Sequence, residues 1–405
     1  MGGMTCRIES APPVRLAVPA AALPPALAWV DEDLAALAAG DLLRPRRVRA
    51  GKQGGRVVLD GRELVNFGSN DYLGLAGDVR LTKAASKAAC AEGFGAGASP
   101  LVSGHSQAHE NLERAIATLL DVAAALVFPS GFAANSATIP ALVGPDDVIC
   151  SDERNHASLI DGCRLARAEV RVYPHRDLAT LDALLAGATS RRKLIVSDSL
   201  FSMDGTIAPL ADLCDLARRH GAMLMVDEAH ATGVFGERGS GLVEQAGCSD
   251  GVHVRVGTLS KALGAAGGFV AGHGRMIEWL RHNARAWIFS TAHPPAIAAA
   301  ATRAIELVAA EPERRRELLD RAAQFREKLI AGGRDIGGAA AQIVPVVAGA
   351  PAAAVALAAR LAEAGCFVPA IRPPSVPPGK SLVRVSLSWL HSEADLTRLA
   401  DALCD

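Results

Sequence analysis

The stretch VRVGTLSKALGAAGGFVAG, residues 254–272, sets one cationic side chain, Lys261, between two runs that read as β-strands. Everything beside that lysine has been made small. A lysine on an ordinary surface needs no such clearance, so the Gly and Ala content implies a fitted space, with bulk removed to admit a flat ligand beside Lys261. Working outward, similar short apolar runs recur at AALVF (124–128), DVICSD (147–152), VRVYP (170–174), KLIVSDS (193–199) and AMLMVDEAH (222–230). Mostly helical segments separate them. Near-continuous apolar strands alternating with helices imply a mostly parallel sheet with helices on both faces, an α/β fold. In such sheets ligands sit beyond the carboxyl ends of the strands. The residues found there are PSGF, SDERNHAS, SDSLFSMDG, DEAHATG and TLSK, a polar set.

With 405 residues, half of them hydrophobic, the chain buries a large core and exceeds the size at which one core usually keeps growing. Three parts are expected: an N-terminal arm and helix over 1–65, a ligand-binding large domain over 66–295, and a smaller C-terminal α+β domain over 296–405. A net charge of −1 argues against nucleic acid or an anionic membrane as partner. The eight cysteines form no CxxC pair and read as reduced thiols of a cytoplasmic protein. The apolar start, VRLAVPAAALPPALAWV (14–30), is broken by prolines and followed by an acidic DED, which is unlike a signal peptide. The first 25 or so residues, rich in Pro and Ala, are expected to be disordered. In the C-terminal part Pro351 and Gly365 bracket a helix, and Ser392 with Asp395 starts the last one as a capping box.

A lysine in a low-dielectric pocket is a nucleophile, and one well-known use is a Schiff base to pyridoxal 5'-phosphate, PLP, with an Asp against the pyridinium nitrogen. That cofactor also needs an anion cradle and a flat partner over its ring. Each has a candidate at a strand end. Asp227 closes AMLMVD, and His230 follows three residues later, placed to donate to the phenolic oxygen. SGFAAN (130–135) reads as a strand-to-helix turn whose free N–H groups at Gly131 and Phe132 suit a phosphate. Thr258 and Ser260 add hydroxyls, and His156 supplies the stacking ring. Any one of these residues alone reads as surface, cap or core; their coincidence at consecutive strand ends favours a site. Rival motifs fail. GFGAGA follows a helical segment instead of a strand, and HSQAH lacks the Glu of a zinc peptidase, so neither a dinucleotide site nor a metal is expected.

Seven ordered blocks, NFGSNDYLGLA, GAGASPLVSGHSQAHENLE, FPSGFAAN, NHASLIDG, SLFSMDGTIAPL, MVDEAHATGVFG and GTLSKALGAAGG, resemble the α-oxoamine synthases, PLP-dependent enzymes of aminotransferase fold type I. Members condense an amino acid with an acyl thioester and release carbon dioxide. IFSTAHPPA and AIRPPSVPPGKSLVRVSLSWLH resemble the biotin-pathway branch, which joins L-alanine to a pimeloyl thioester on coenzyme A or a carrier protein. The resemblance implies Lys261 as the cofactor lysine, Asp227 as pyridinium partner and His156 as stacking residue. It places His230 and Ser202 near the phenolic oxygen, and Gly131, Phe132 and Thr258 at the phosphate. Arg372 would grip the amino acid carboxylate, with Arg44, Asn70 and Ser375 as further substrate contacts. It also implies a homodimer in which Ser290 and Thr291 reach the partner's phosphate. Alternatives are another member using glycine or serine, such as a 2-amino-3-ketobutyrate ligase, and a catalytically silent subunit of the same fold.

Overall fold

The computed structural model of the protein describes residues 23–404. Most of the N-terminal stretch expected to be disordered, and much of the segment weighed as a signal peptide, lies outside them. Two units separate at Pro45. In the first, a short turn of 3-10 helix (Pro25–Leu27) leads into a helix over Trp29–Ala39, the helix expected there. Asp31 and Glu32 occupy its first turn, where acidic side chains suit the helix dipole, and none of its residues is buried.

The second unit begins with three strands, β1 (Arg49–Ala50), β2 (Arg56–Leu59) and β3 (Arg62–Asn66). They fall where only an arm was expected. The signal was present: RVVL and RELVN flank Asp60-Gly61, both with positive φ (51° and 79°), as a two-residue hairpin turn requires. Next come the strands of the main sheet: β4 (Ala124–Phe128), β5 (Val148–Asp152), β6 (Glu169–Tyr173), β7 (Lys193–Asp198), β8 (Met223–Asp227), β9 (Val254–Thr258) and β10 (Gly268–Gly272). These coincide with the seven apolar runs. Their order is β4-β10-β9-β8-β7-β5-β6, parallel except for β10, which runs against both neighbours.

Side-chain alternation divides the core between the two faces of this sheet. Ala125, Val127, Leu224 and Val226 pack on one face, and Leu126, Phe128, Met225, Val254 and Val256 on the other. Both faces are covered, which is why the strands read as unbroken apolar runs. The C-terminal region adds β11 (Ile343–Gly349), β12 (Cys366–Phe367), β13 (Ala370–Ile371) and β14 (Ser381–Ser386). A three-stranded sheet runs β11-β14-β13, while β12 pairs with β3 to extend the N-terminal hairpin. Residues 49–66 are thus hydrogen-bonded to the C-terminal region, and the helix Pro295–Ala310 packs on Val79–Glu92 and Gln107–Leu120. The other expected marks are present: Pro351 opens the helix Pro351–Glu363, Gly365 has φ +83°, and Ser392 and Asp395 exchange capping hydrogen bonds. No helix among the described residues is long and apolar enough to cross a membrane.

Candidate active site

Strands β4, β5, β7, β8 and β9 all end at one edge of the sheet, and the antiparallel β10 starts there. Register does the positioning: Gly268 pairs with Phe128 on one side and Thr258 on the other, and Asp198 pairs with Asp227. Over the first group sits the helix Gly131–Leu142, whose start is capped by Ser130 Oγ accepting from Ala133 N at 3.0 Å. The N–H groups of Gly131 and Phe132 have no acceptor among the described residues. Beside them Thr258 Oγ1 donates to Gly267 O at 2.8 Å and lies 2.8 Å from Ser260 Oγ. Two free N–H groups at a helix N-terminus, with two hydroxyls alongside, make an anion cradle.

The small residues around Lys261 have a different reason from the one expected. A Cβ on Gly264 would lie 2.4 Å from Ala76 N, one on Gly267 2.6 Å from His293 Nε2, and one on Gly268 2.5 Å from the Gly131 backbone. Bulk is removed so that other chain segments can close on the turn. The room for a ligand follows indirectly, because those segments bring the anion cradle and the loop Asn70–Ala76 against the lysine.

Asp227, buried at the end of β8, accepts from Asn135 Nδ2 at 2.6 Å and from Ala229 N at 2.7 Å. Both oxygens are used as acceptors, which suits an anion. The second hydrogen of Asn135 Nδ2 goes to Ser158 Oγ at 2.9 Å, and Ser158 Oγ lies 2.8 Å from His156 Nδ1. Ser158 therefore donates to Nδ1, and the proton of the neutral His156 ring is on Nε2. Burial, with the Lys261 charge adding to it, lowers His156 below 6.5 despite Asp227. Next to Asp227, Asp198 accepts from His156 N at 2.7 Å; burial, and then the neighbouring Asp227, push its carboxyl well above the ordinary range. A like charge beside a buried carboxyl adds to the cost of ionising it.

Lys261 Nζ is 2.8 Å from His230 Nε2, and His230 Nδ1 is 2.6 Å from Tyr72 Oη. Lys261 keeps some solvent contact, yet burial pulls its ammonium down to about 8; Asp227 and Asp198 oppose the fall and Arg384 adds to it. Burial, then the charges of Lys261 and Arg384, hold His230 well below 6.5, so its ring is neutral. Arg384, on β14 and 6% exposed, completes this wall: Nε donates to Ser202 O, and Nη1 to Asn70 Oδ1 and Ser386 Oγ, each at 3.1 Å. Its Nη2 is buried with no partner among the described residues.

Nine of the residues chosen from sequence therefore converge through direct contacts or shared strand ends: Asn70, Gly131, Phe132, His156, Ser202, Asp227, His230, Thr258 and Lys261. Arg372 and Ser375 sit on the turn after β13, where Ser375 N donates to Arg372 O at 3.1 Å. Ser290, half-buried, and Thr291, exposed, line a small surface pocket with Pro100, His105 and Trp287. Arg44 is exposed in the N-terminal unit. His109, of HSQAH, spends both nitrogens on local structure, accepting from Ser106 N and pairing with His293 O. Sequence reasoning missed Tyr72, Asn135, Ser158, Asp198 and Arg384. Two had a visible signal: a charge inside the apolar strand SLVRVS, and an amide in GFAANSATIPAL one helical turn beyond Gly131.

The chain belongs to the aminotransferase class I and II family, whose profile matches residues 62–403. Its curated relatives include the 8-amino-7-oxononanoate synthases of Anaeromyxobacter dehalogenans strain 2CP-1 (50% identical, covering 93% of this chain and 95% of that one) and Azoarcus sp. strain BH72 (46%, covering 92% and 95%). Among solved structures, Sphingomonas wittichii serine palmitoyltransferase is 33% identical with a TM-score of 0.88 over 94% of this chain and 97% of that one. The Francisella tularensis 8-amino-7-oxononanoate synthase is 26% identical with a TM-score of 0.73 over 84% and 97%. The fold is type I of the PLP-dependent enzymes.

Proposed function

We propose that the protein is a PLP-dependent acyltransferase that condenses L-alanine with a pimeloyl thioester, releasing carbon dioxide and a thiol to give 8-amino-7-oxononanoate for biotin synthesis. One observation carries the chemistry: a largely buried lysine brought down to about 8 lies against a neutral histidine, on the sheet edge that also holds a doubly hydrogen-bonded Asp. The choice among family branches rests on relatives at 45–50% identity that share one name.

The residues present fit the cofactor. The N–H groups of Gly131 and Phe132, with Thr258 and Ser260, would hold its phosphate; Asp227 would face the ring nitrogen, His156 the ring, and His230 with Ser202 the phenolic side. When bound, the cofactor supplies an electron sink that lowers the energy of negative charge at the substrate Cα. The chain does the rest. Arg384, with Nη2 still free to donate, orients the alanine carboxylate from a buried position, a task suited to a planar fork of donors. Arg372, half-buried, and Ser375, exposed, on the turn after β13 then fall to the acyl side, with Asn70 between the two groups. Lys261 as free amine takes the Cα proton and later returns one, work for which a pKa near 8 is matched to neutral pH. His156 Nε2–H is the donor toward the acyl carbonyl as the thiol leaves.

The acyl group arrives on coenzyme A or a carrier protein, and the protein works in the cytoplasm as a homodimer. Phe94, Val102 and Phe289 are 78%, 78% and 70% exposed on segments joined by the hydrogen bond from Ala292 N to Ala98 O, an apolar surface suited to a second copy. A second reading, serine in place of alanine, is favoured by the likeness to serine palmitoyltransferases. Mass spectrometry of products from pimeloyl thioester with alanine, serine or glycine separates them. Alanine should give 8-amino-7-oxononanoate, and Lys261→Ala should abolish both the product and the visible absorbance of bound PLP. Thiol release with serine alone would establish the second reading.

A further inference from the structure

We propose that Tyr72 is a positioning residue that fixes His230 in the Nδ1–H tautomer, so that the bare Nε2 faces Lys261. The inference rests on reading Lys261 and His230 as the groups that handle the cofactor, and deepens it by one residue.

Donor and acceptor accounting along one chain of contacts carries the argument. Arg384 is always charged and only donates, and its Nη1 lies 3.1 Å from Asn70 Oδ1. That contact fixes which end of the Asn70 amide faces inward, because the opposite orientation would set two donors against each other. The same oxygen lies 3.1 Å from Tyr72 Oη, which has a single proton to give and gives it there. The side chains of Arg384 and Gln342 also reach this phenol, both as donors that would stabilise its anion, so neither takes its proton. Tyr72 Oη is left with lone pairs only toward His230 Nδ1, 2.6 Å away. Nδ1 must therefore carry hydrogen. In a neutral imidazole the other nitrogen is then an acceptor, and Nε2 accepts from Lys261 Nζ at 2.8 Å.

His230 has little freedom to answer in any other way. It is 5% exposed, its carbonyl accepts from Gln342 Nε2 at 2.9 Å, and burial together with the charges of Lys261 and Arg384 keeps its ring neutral. Tyr72 itself is fully buried, and burial raises its phenol to about 12, so it stays protonated across the working range. The arrangement holds the lysine by an acceptor. With the opposite tautomer an N–H would confront the ammonium.

The test uses the full-length protein without cofactor or substrate, labelled with 15N-histidine, with the His230 signals assigned by their absence in His230→Gln. Long-range 1H–15N correlation reads the tautomer directly, since protonated and bare ring nitrogens resonate far apart. Wild type should show Nδ1 protonated and Nε2 bare at neutral pH. In Tyr72→Phe the ring keeps its shape but loses the oxygen, and the tautomer ratio should move by about tenfold or more toward Nε2–H, the worth of one buried hydrogen bond left unmade. A wild-type Nε2–H tautomer overturns the proposal even if Tyr72→Phe does not fold; so does a folded Tyr72→Phe with an unchanged ratio. Because neither cofactor nor turnover is involved, a failed condensation assay alongside the expected tautomer would count against the proposed reaction and not against the role of Tyr72.

Discussion

At the scale of single residues, burial holds the Lys261 ammonium at about 8 against 10.5 in a free chain, and this has an energetic consequence before any chemistry begins. Below about pH 8 both folded and unfolded chains carry the proton, and the folded one bears the whole penalty. Between 8 and 10.5 the folded chain sheds a proton that the unfolded chain keeps, so stability rises with pH; above that the lysine contributes nothing. Lys261→Met should therefore stabilise the cofactor-free protein at pH 7 by up to about 3 kcal/mol, and the gain should shrink as pH nears 10. Urea unfolding at pH 7 and 9.5 checks this, and a gain equal at both would contradict it. Carboxylate recognition divides two arginines in the same way. Arg384→Gln removes a buried donor and should raise the KM for alanine about 100-fold, whereas Arg372→Gln, half-buried on the turn after β13, should change it less than about tenfold. Steady-state kinetics with alanine as the varied substrate decides between them.

At the scale of elements, the anion cradle depends on how closely the helix Gly131–Leu142 approaches the sheet, and Gly268 sets that distance. A Cβ there would meet the Gly131 backbone at 2.5 Å and lift the helix start from Thr258. Gly268→Ala should weaken PLP binding about tenfold or more, the cost of one misplaced charge-assisted hydrogen bond. Gly144→Ala, with nothing within 4 Å of the new methyl, should leave binding unchanged, so cofactor titration of the two variants isolates the cradle. The main-sheet strands were legible because all but the edge strand β6 are apolar runs buried on both faces. The β2–β3 hairpin was equally legible in Asp60-Gly61, yet its partner β12 was not, because that pairing joins residues some 300 positions apart. Lys261, Asp227 and His156 could be found from sequence since each lies at a strand's carboxyl end or within four residues of one. Asn135, Tyr72 and Arg384 reach the site from a helix, a loop and a separate sheet, and no local pattern states which way they point.

At the scale of the whole molecule, the exposed Phe94, Val102 and Phe289 define a surface that a monomer would leave in water. Val102→Glu combined with Phe289→Glu should convert a dimer to monomers in sedimentation velocity and lower activity along with it, since a like charge facing itself across a two-fold interface repels. A double variant that sediments as wild type would place the interface elsewhere. Pairing of β3 with β12 also ties the start of the second unit to its C-terminal region, so element pairing rather than chain order groups these parts.

The sequence by itself determined the alternation of strand and helix, and with it the edge at which Lys261, Asp227, His156 and His230 emerge, because hydrophobic period and strand ends are local properties of the chain. Only the tertiary structure decided which arginine is buried, why the glycines beside Lys261 are glycines, and which nitrogen of His230 is bare. Those facts depend on backbones and donors brought together from distant segments, and hydrogen-bond accounting can be done only once every partner is in place.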